Sequence, residues 1–196
     1  MDSPEDVLVE QFIGGDSKAF EKLYNAYKKK IFNYIRRMLG NRETAEELTQ
    51  ETFINIYMNI RRYKPMGMFK SWAYKIASNL AKNELKKKGR NLNISLSEPF
   101  GGSEEGATLE GMLTSQKLSP ESMVEDKELK ENIEKALQAL PLKYREALLL
   151  CVIDGLSYEE AAEALNTNVK TISSRLARAR EAFIRHFNAI QGNDVK

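Results

Sequence analysis

Residues 156–180 read LSYEEAAEALNTNVKTISSRLARAR, and no other stretch restricts the fold of this chain so tightly. Ser157 and Glu160 stand three apart, the spacing at which each side chain can accept from the other's free backbone N–H and open a helix. Ala161, Ala162 and Leu165 mark one apolar face. Asn166-Thr167-Asn168 breaks the period, because short polar side chains compete for backbone bonds and favour turns. A second helix follows with Val169, Ile172 and Leu176 turned inward. Its other side carries Lys170, Thr171, Ser173, Ser174, Arg175 and Arg178. Hydroxyls and guanidiniums suit phosphates and guanine edges in a major groove. The stretch therefore predicts a helix-turn-helix that touches DNA.

Helical periodicity also governs the rest of the chain, and no convincing strand pattern occurs. Phe20, Leu23, Tyr24, Tyr27, Ile31, Tyr34, Ile35 and Met38 recur at helical spacing, with Asp16 or Ser17 to start the helix and Gly40 to stop it. A second long helix spans about 44–61, with Ala45, Leu48, Thr52, Ile56, Tyr57 and Ile60 on one side. Pro65 and Gly67 break the pattern. A third helix, 69–88, buries Trp72, Ile76, Ala77 and Leu80, and a short one covers 7–12. Helices resume at 120–140, stop at Pro141, and run from Leu142 to about Asp154. The prediction is all-α: two small helical domains, 1–90 and 129–196, joined by a flexible acidic linker, 91–128, rich in Gly and Ser.

Charge follows the same division. Residues 1–90 hold 18 Lys+Arg against 11 Asp+Glu, net +7; residues 91–128 hold 2 against 8, net −6; residues 129–196 hold 10 against 9, net +1. Modules that rest on nucleic acid, with a connector kept off it, fit this layout. The single Cys151, inside an apolar run, excludes an internal disulfide and reads as a structural thiol. With one histidine, His186, no zinc site of ordinary spacing can be built, and no cofactor is expected. The longest pure apolar run is seven residues, so the chain is expected to be soluble and cytoplasmic.

The first domain carries a second constellation. Glu46, Glu47, Gln50, Glu51 and Asn55 lie opposite the apolar side of the second helix. A solvated acidic face explains them on composition alone; a docking surface for a partner is the sharper reading. After them come Tyr63, Phe69, Trp72, Tyr74, Asn79, Lys82 and Asn83, then Lys86-Lys87-Lys88. Aromatic rings can stack on bases, amides can pair with base edges, and lysines neutralise phosphates. That mixture suits opened DNA better than intact duplex, although Trp72 also reads as core packing.

Thr44 to Lys88 resembles the second conserved region of bacterial sigma factors, and Leu140 to Arg180 resembles their fourth. The match is to the small extracytoplasmic-function (group IV) class, which keeps only these two regions, and it covers nearly all the chain outside the linker. The resemblance implies a non-enzymatic promoter-specificity subunit that binds core RNA polymerase through its β and β′ subunits. Glu46, Glu47, Leu48, Gln50, Glu51, Phe53 and Asn55 would bind the polymerase clamp helices. Tyr63, Lys64, Met66, Met68, Phe69, Lys70 and Trp72 would take up the opened −10 element, with Asn79 and Asn83 near its bases. Lys75, Lys82, Lys86 and Lys87 would hold its phosphates. Lys170, Thr171, Ser173, Ser174, Arg175 and Arg178 would read the −35 element. The linker would thread toward the RNA exit path, and an anti-sigma factor would hold the protein in check. Two departures stand out. Relatives often carry small polar or acidic residues where this chain has Pro65-Met66-Gly67-Met68. Ser173 and Ala177 replace residues that are often basic and sometimes aromatic.

Two other classes compete. A dimeric helix-turn-helix repressor would account for 156–180 but has no use for the acidic helix and aromatic loop. An enzyme built on Glu46, Glu47 and Glu51 lacks a histidine partner and a Gly-rich phosphate loop.

Overall fold

The computed structural model describes residues 3–64, 66–89 and 123–192, with backbone alone for 123–126. Every element among them is helical, in the order α1 (Pro4–Ile13), α2 (Ser17–Leu39), α3 (Arg42–Asn59), α4 (Phe69–Gly89), α5 (Met123–Ala139), α6 (Leu142–Leu148), α7 (Tyr158–Ala164) and α8 (Val169–Ile190). Most of the acidic linker reading, 91–122, lies outside the described residues; α5 begins within the remainder of that span.

Local chemistry sets the helix ends. Ser3 Oγ accepts from Asp6 N (3.1 Å), Asp16 Oδ1 from Lys18 N (2.9 Å), Asn41 Oδ1 from Thr44 N (2.8 Å) and Asn168 Oδ1 from Thr171 N (2.8 Å). Each satisfies a donor that the first turn leaves unpaired. The Ser157–Glu160 box forms in both directions, at 3.1 and 2.7 Å. Gly40, at φ 69°, ends α2 and returns its N–H to Arg36 O. After Leu148 the chain widens into a π segment, Leu149–Ile153, and Asp154 N donates to Leu149 O five residues back.

The N-terminal bundle packs Leu23, Ile31, Ile35 and Met38 of α2 against Ala45, Phe53 and Ile56 of α3 and Phe69, Ala73 and Ala77 of α4. The C-terminal half centres on Leu137, Leu148, Ile172, Leu176 and Phe183. The two cores are continuous. Arg145 crosses between them: Nη1 donates to Met38 O at the end of α2 (2.7 Å), and Nη2 to Leu140 O (3.0 Å). Gln138 Nε2 donates to Arg37 O (2.6 Å), and Arg36 pairs with Glu134 at 2.6 Å.

Several sequence assignments shift by part of a helical turn. Tyr57 is 53% exposed and Val169 39% exposed, so neither faces a core. The inner side of α3 runs through Ala45, Thr49, Thr52, Phe53 and Ile56, with buried Ile60 just past its end, and Thr49 and Thr52 sit there because each hydroxyl donates back to the carbonyl four residues earlier. On α4, Trp72, Ile76 and Leu80 are half-buried; the fully inner side is Phe69, Ala73, Tyr74, Ala77 and Ala81.

Candidate nucleic-acid interface

Where α3 ends and α4 begins, the surface folds into a cleft of about 410 Å3, lined by Asn55, Asn59, Arg62, Tyr63, Trp72, Ile76, Asn79 and Leu80. Tyr63 stacks on Trp72 with centroids 5.1 Å apart and planes 28° apart. One wall is therefore flat and aromatic, while amides and a guanidinium rim the opening. That chemistry accepts a planar, hydrogen-bonding ligand. A second hollow, about 330 Å3, continues beside it, lined by Leu48, Glu51, Leu80, Asn83, Glu84, Lys86 and Lys87. Asn83, Lys86 and Lys87 from the sequence-derived −10 set thus share one surface with Asn79, Tyr63 and Trp72.

Phe69 does not join them. It is 1% exposed and packs edge-on against Tyr27 at 5.5 Å, so it supports the cleft from within the core. Met68 is half-buried, Lys64 is exposed, and Met66 projects at 74% exposure from the loop tip. Lys70, Lys75 and Lys82 lie around α4 from the cleft, because Lys75 and Lys82 each fall one residue, and Lys70 two, before a member of the row formed by Trp72, Ile76, Asn79 and Asn83.

On α3, Glu46, Glu47, Gln50 and Glu51 are exposed, Leu48 and Asn55 half-buried. Phe53 belongs to the inner side: it is 5% exposed and meets Tyr24 edge-on at 4.7 Å. The exposed row continues instead through Ile54 (63%) and Met58 (72%). The exposed side of α3 is thus acidic at one end and apolar at the other, not uniformly charged.

On α8, Ile172 and Leu176 anchor the helix while Lys170, Ser173, Ser174 and Arg178 stay exposed and Arg175 half-exposed. Thr171 is partly withdrawn, its hydroxyl donating to Asn168 Oδ1 at 2.9 Å. Arg178 Nη1 points toward Tyr144 Oη at 3.5 Å.

Residues 23–91 match the sigma-70 region 2 family and residues 130–183 the sigma-70 region 4 family. The chain is 37% identical over 174 residues to the ECF RNA polymerase sigma factor SigW of Bacillus subtilis (strain 168), covering 89% of this chain and 91% of that one. It belongs to the extracytoplasmic-function class of RNA polymerase sigma factors. The ECF RNA polymerase sigma-E factor of Escherichia coli (strain K12) is 33% identical over 183 residues, 91% of each chain. The fold is shared with CnrH, solved in complex with the cytosolic domain of CnrY (TM-score 0.69, 19% identity, 98% of this chain and 100% of that one). RpoE of Bartonella quintana, solved with the anti-sigma factor NepR, shares it as well (TM-score 0.64, 21% identity, 91% and 99%). This sigma factor serves promoter-specific transcription initiation with RNA polymerase; its family is not a class of enzymes.

In this sigma factor the C-terminal half covers one face of α4. Lys70 Nζ donates to Gly155 O (2.9 Å) and lies 3.7 Å from Glu160; Lys75 pairs with Glu163 at 3.2 Å. Lys82 meets the buried Glu146 at 3.3 Å, and Ser78 Oγ donates to the same carboxylate at 2.7 Å. Lys75 and Lys82, which the resemblance assigned to DNA phosphates, and Lys70 of the −10 loop are thus paired with carboxylates of the other half. Beside them Asp154 lies against Tyr74, and burial pushes its carboxyl up to about 7. Burial pushes the half-buried Cys151 thiol up to about 11, consistent with an inert side chain. Among the described residues no cluster could hold a metal ion, and no helix is long and apolar enough to cross a membrane.

Sequence reasoning missed Asp6, Arg145, Glu146 and Asp154. For Arg145 and Glu146 the only sequence signal was their company: they directly precede the apolar Ala147–Leu150, where a helix facing core on most sides must bury its charges too.

Proposed function

We propose that this sigma factor melts the −10 element at the α3/α4 cleft and reads the −35 element with α8, working in the cytoplasm and without enzymatic activity. The cleft carries the proposal: a Tyr63–Trp72 stack beside Asn55, Asn59 and Asn79 offers an unpaired base both a stacking surface and edge contacts. Flipping a base costs a few kcal/mol of unstacking, and such a pocket offsets it. Asn83, Lys86 and Lys87 extend the contact along the strand. The exposed row Glu47, Glu51, Ile54 and Met58 docks the polymerase clamp, leaving Phe53 as its internal support. Lys170, Ser173, Ser174, Arg175 and Arg178 meet the −35 duplex.

The ion pairs on α4 add a resting state. Lys75 and Lys82 cannot hold phosphates while Glu163 and Glu146 hold them. The two halves therefore separate when polymerase and promoter are engaged. The relatives solved with CnrY and with the anti-sigma factor NepR support a partner of that kind for this chain. Asn79→Ala tests the cleft. In holoenzyme it is expected to leave closed-complex formation intact and to reduce permanganate reactivity of the −10 thymines by about tenfold, the value of one good base contact. Normal melting by this variant refutes the assignment.

A further inference from the structure

Asp6 is the least explained charge in the molecule. It is fully buried in the first turn of α1, yet nothing in the sequence reading gave it a role. Both of its oxygens are committed to the loop between α3 and α4. Oδ1 accepts from Tyr63 Oη at 2.8 Å, and Oδ2 accepts from the backbone N–H of Gly67. Tyr63 Oη in turn accepts from Met68 N at 3.1 Å. Gly67 sits at φ 71°, a conformation that a side chain would strain, which turns its N–H toward the carboxylate. Asp6 is itself held: its N–H donates to Ser3 Oγ (3.1 Å), and neighbouring Glu5 accepts from Tyr27 Oη of α2 at 2.8 Å. Burial and the Asp6 carboxylate both push the Tyr63 hydroxyl well above its ordinary range, so it remains a donor.

A buried carboxylate is an expensive way to fasten a helix, since an apolar residue of similar size stabilises such a contact as well or better. What the carboxylate adds is direction. Its charge-assisted bonds fix the rotation of the Tyr63 ring and the path of the loop up to exposed Met66. The same ring forms the stacked wall of the cleft with Trp72. We infer that Asp6 is the positioning residue of the base-binding cleft: through Tyr63 and Gly67 it presets the wall and loop that receive the unpaired base. The inference rests on the promoter-melting role of that cleft. Preorganisation of this kind lowers the ordering cost of binding rather than adding a contact.

The test uses holoenzyme and a single-stranded oligonucleotide bearing the non-template −10 sequence of a promoter it transcribes. Asp6→Asn keeps one acceptor but turns an amide donor toward a second donor; Tyr63→Phe removes the hydroxyl and keeps the ring. Each is expected to weaken single-strand binding about tenfold, the double variant no further than the weaker single one. Core-polymerase affinity and binding to a −35 duplex should remain within about twofold, which a general folding role would not allow. Parallel loss of all three readouts overturns the inference and makes Asp6 a folding residue. Unchanged single-strand binding in both variants, with loss in Trp72→Ala, overturns the positioning role and leaves the cleft standing. Unchanged binding in Trp72→Ala as well removes the base-binding reading and this inference with it.

Discussion

Arg145 shows how much one side chain can carry. The residue is 8% exposed, and its guanidinium donates to the carbonyls of Met38, Gln138 and Leu140 and to Gln138 Oε1. Burial pulls it down to about 10, still charged at neutral pH. Met38 O belongs to the last turn of α2, where carbonyls lack helical partners. Arg145→Ala leaves several buried acceptors unpaired and is expected to cost about 2–4 kcal/mol in urea unfolding, with Arg145→Lys recovering little because an ammonium cannot span the fork. A loss under about 0.5 kcal/mol would contradict this account. The local pattern does not name the partners that Arg145, Asp6 and Glu146 find across the fold, because Met38, Tyr63 and Ser78 lie 107, 57 and 68 residues away. Aromatic positions were legible as a set but not singly. Phe53 and Phe69 turned inward while Trp72 kept a face on the cleft, a choice of a few tens of degrees that composition does not reveal.

Helices themselves were legible because their ends are written in short-range chemistry. The Ser157–Glu160 box, the Asp16 cap and the Gly40 stop all act within five residues, and each appears where the sequence placed it. The same locality makes α8 separable in function. Arg175→Ala and Arg178→Ala are each expected to weaken promoter-duplex binding about tenfold and to lower the salt dependence of that binding by about one phosphate contact. Core-polymerase affinity should not change, since the proposed docking stripe lies on α3. A gel-shift series across salt, beside a core-binding titration, measures both; loss of core binding would refute the division of labour. On α3 the pattern failed at its ends. Tyr57 looked apolar enough for the core, yet it is half-exposed and packs with Phe12 and Phe20 at 5.4 and 5.2 Å on the rim.

At the scale of the whole molecule, the closed arrangement was not legible, because sequence patterns describe each half alone. Burial holds it together more than the ion pairs do. Exposed pairs such as Lys75–Glu163 are worth at most about 1 kcal/mol. The continuous core around Met38, Leu137 and Leu140, with Arg145 across it, supplies the rest. Asp154 makes this packing depend on pH. The groups facing it are Tyr74 and Tyr34, with Arg37, Lys70 and Lys30 as the nearby cations, all from the N-terminal half. A carboxyl raised from 3.8 to about 7 keeps its proton in the packed form after the separated form has lost it. Packing therefore strengthens as pH falls from about 7 toward about 4 and weakens as pH rises through that window. With dyes at Glu43 and Ala177 on a Cys151→Ser background, energy transfer should be higher at about pH 6 than at about pH 8, and Asp154→Asn should flatten the difference. An unchanged slope in Asp154→Asn would assign the effect elsewhere. The central claim is that this chain gives core RNA polymerase its promoter. Run-off transcription with purified bacterial core enzyme, on the DNA upstream of the protein's own gene, tests it most directly. A defined transcript that requires both components is the expected result; no transcript, together with tight duplex binding by a dimer of the free protein, would contradict the claim.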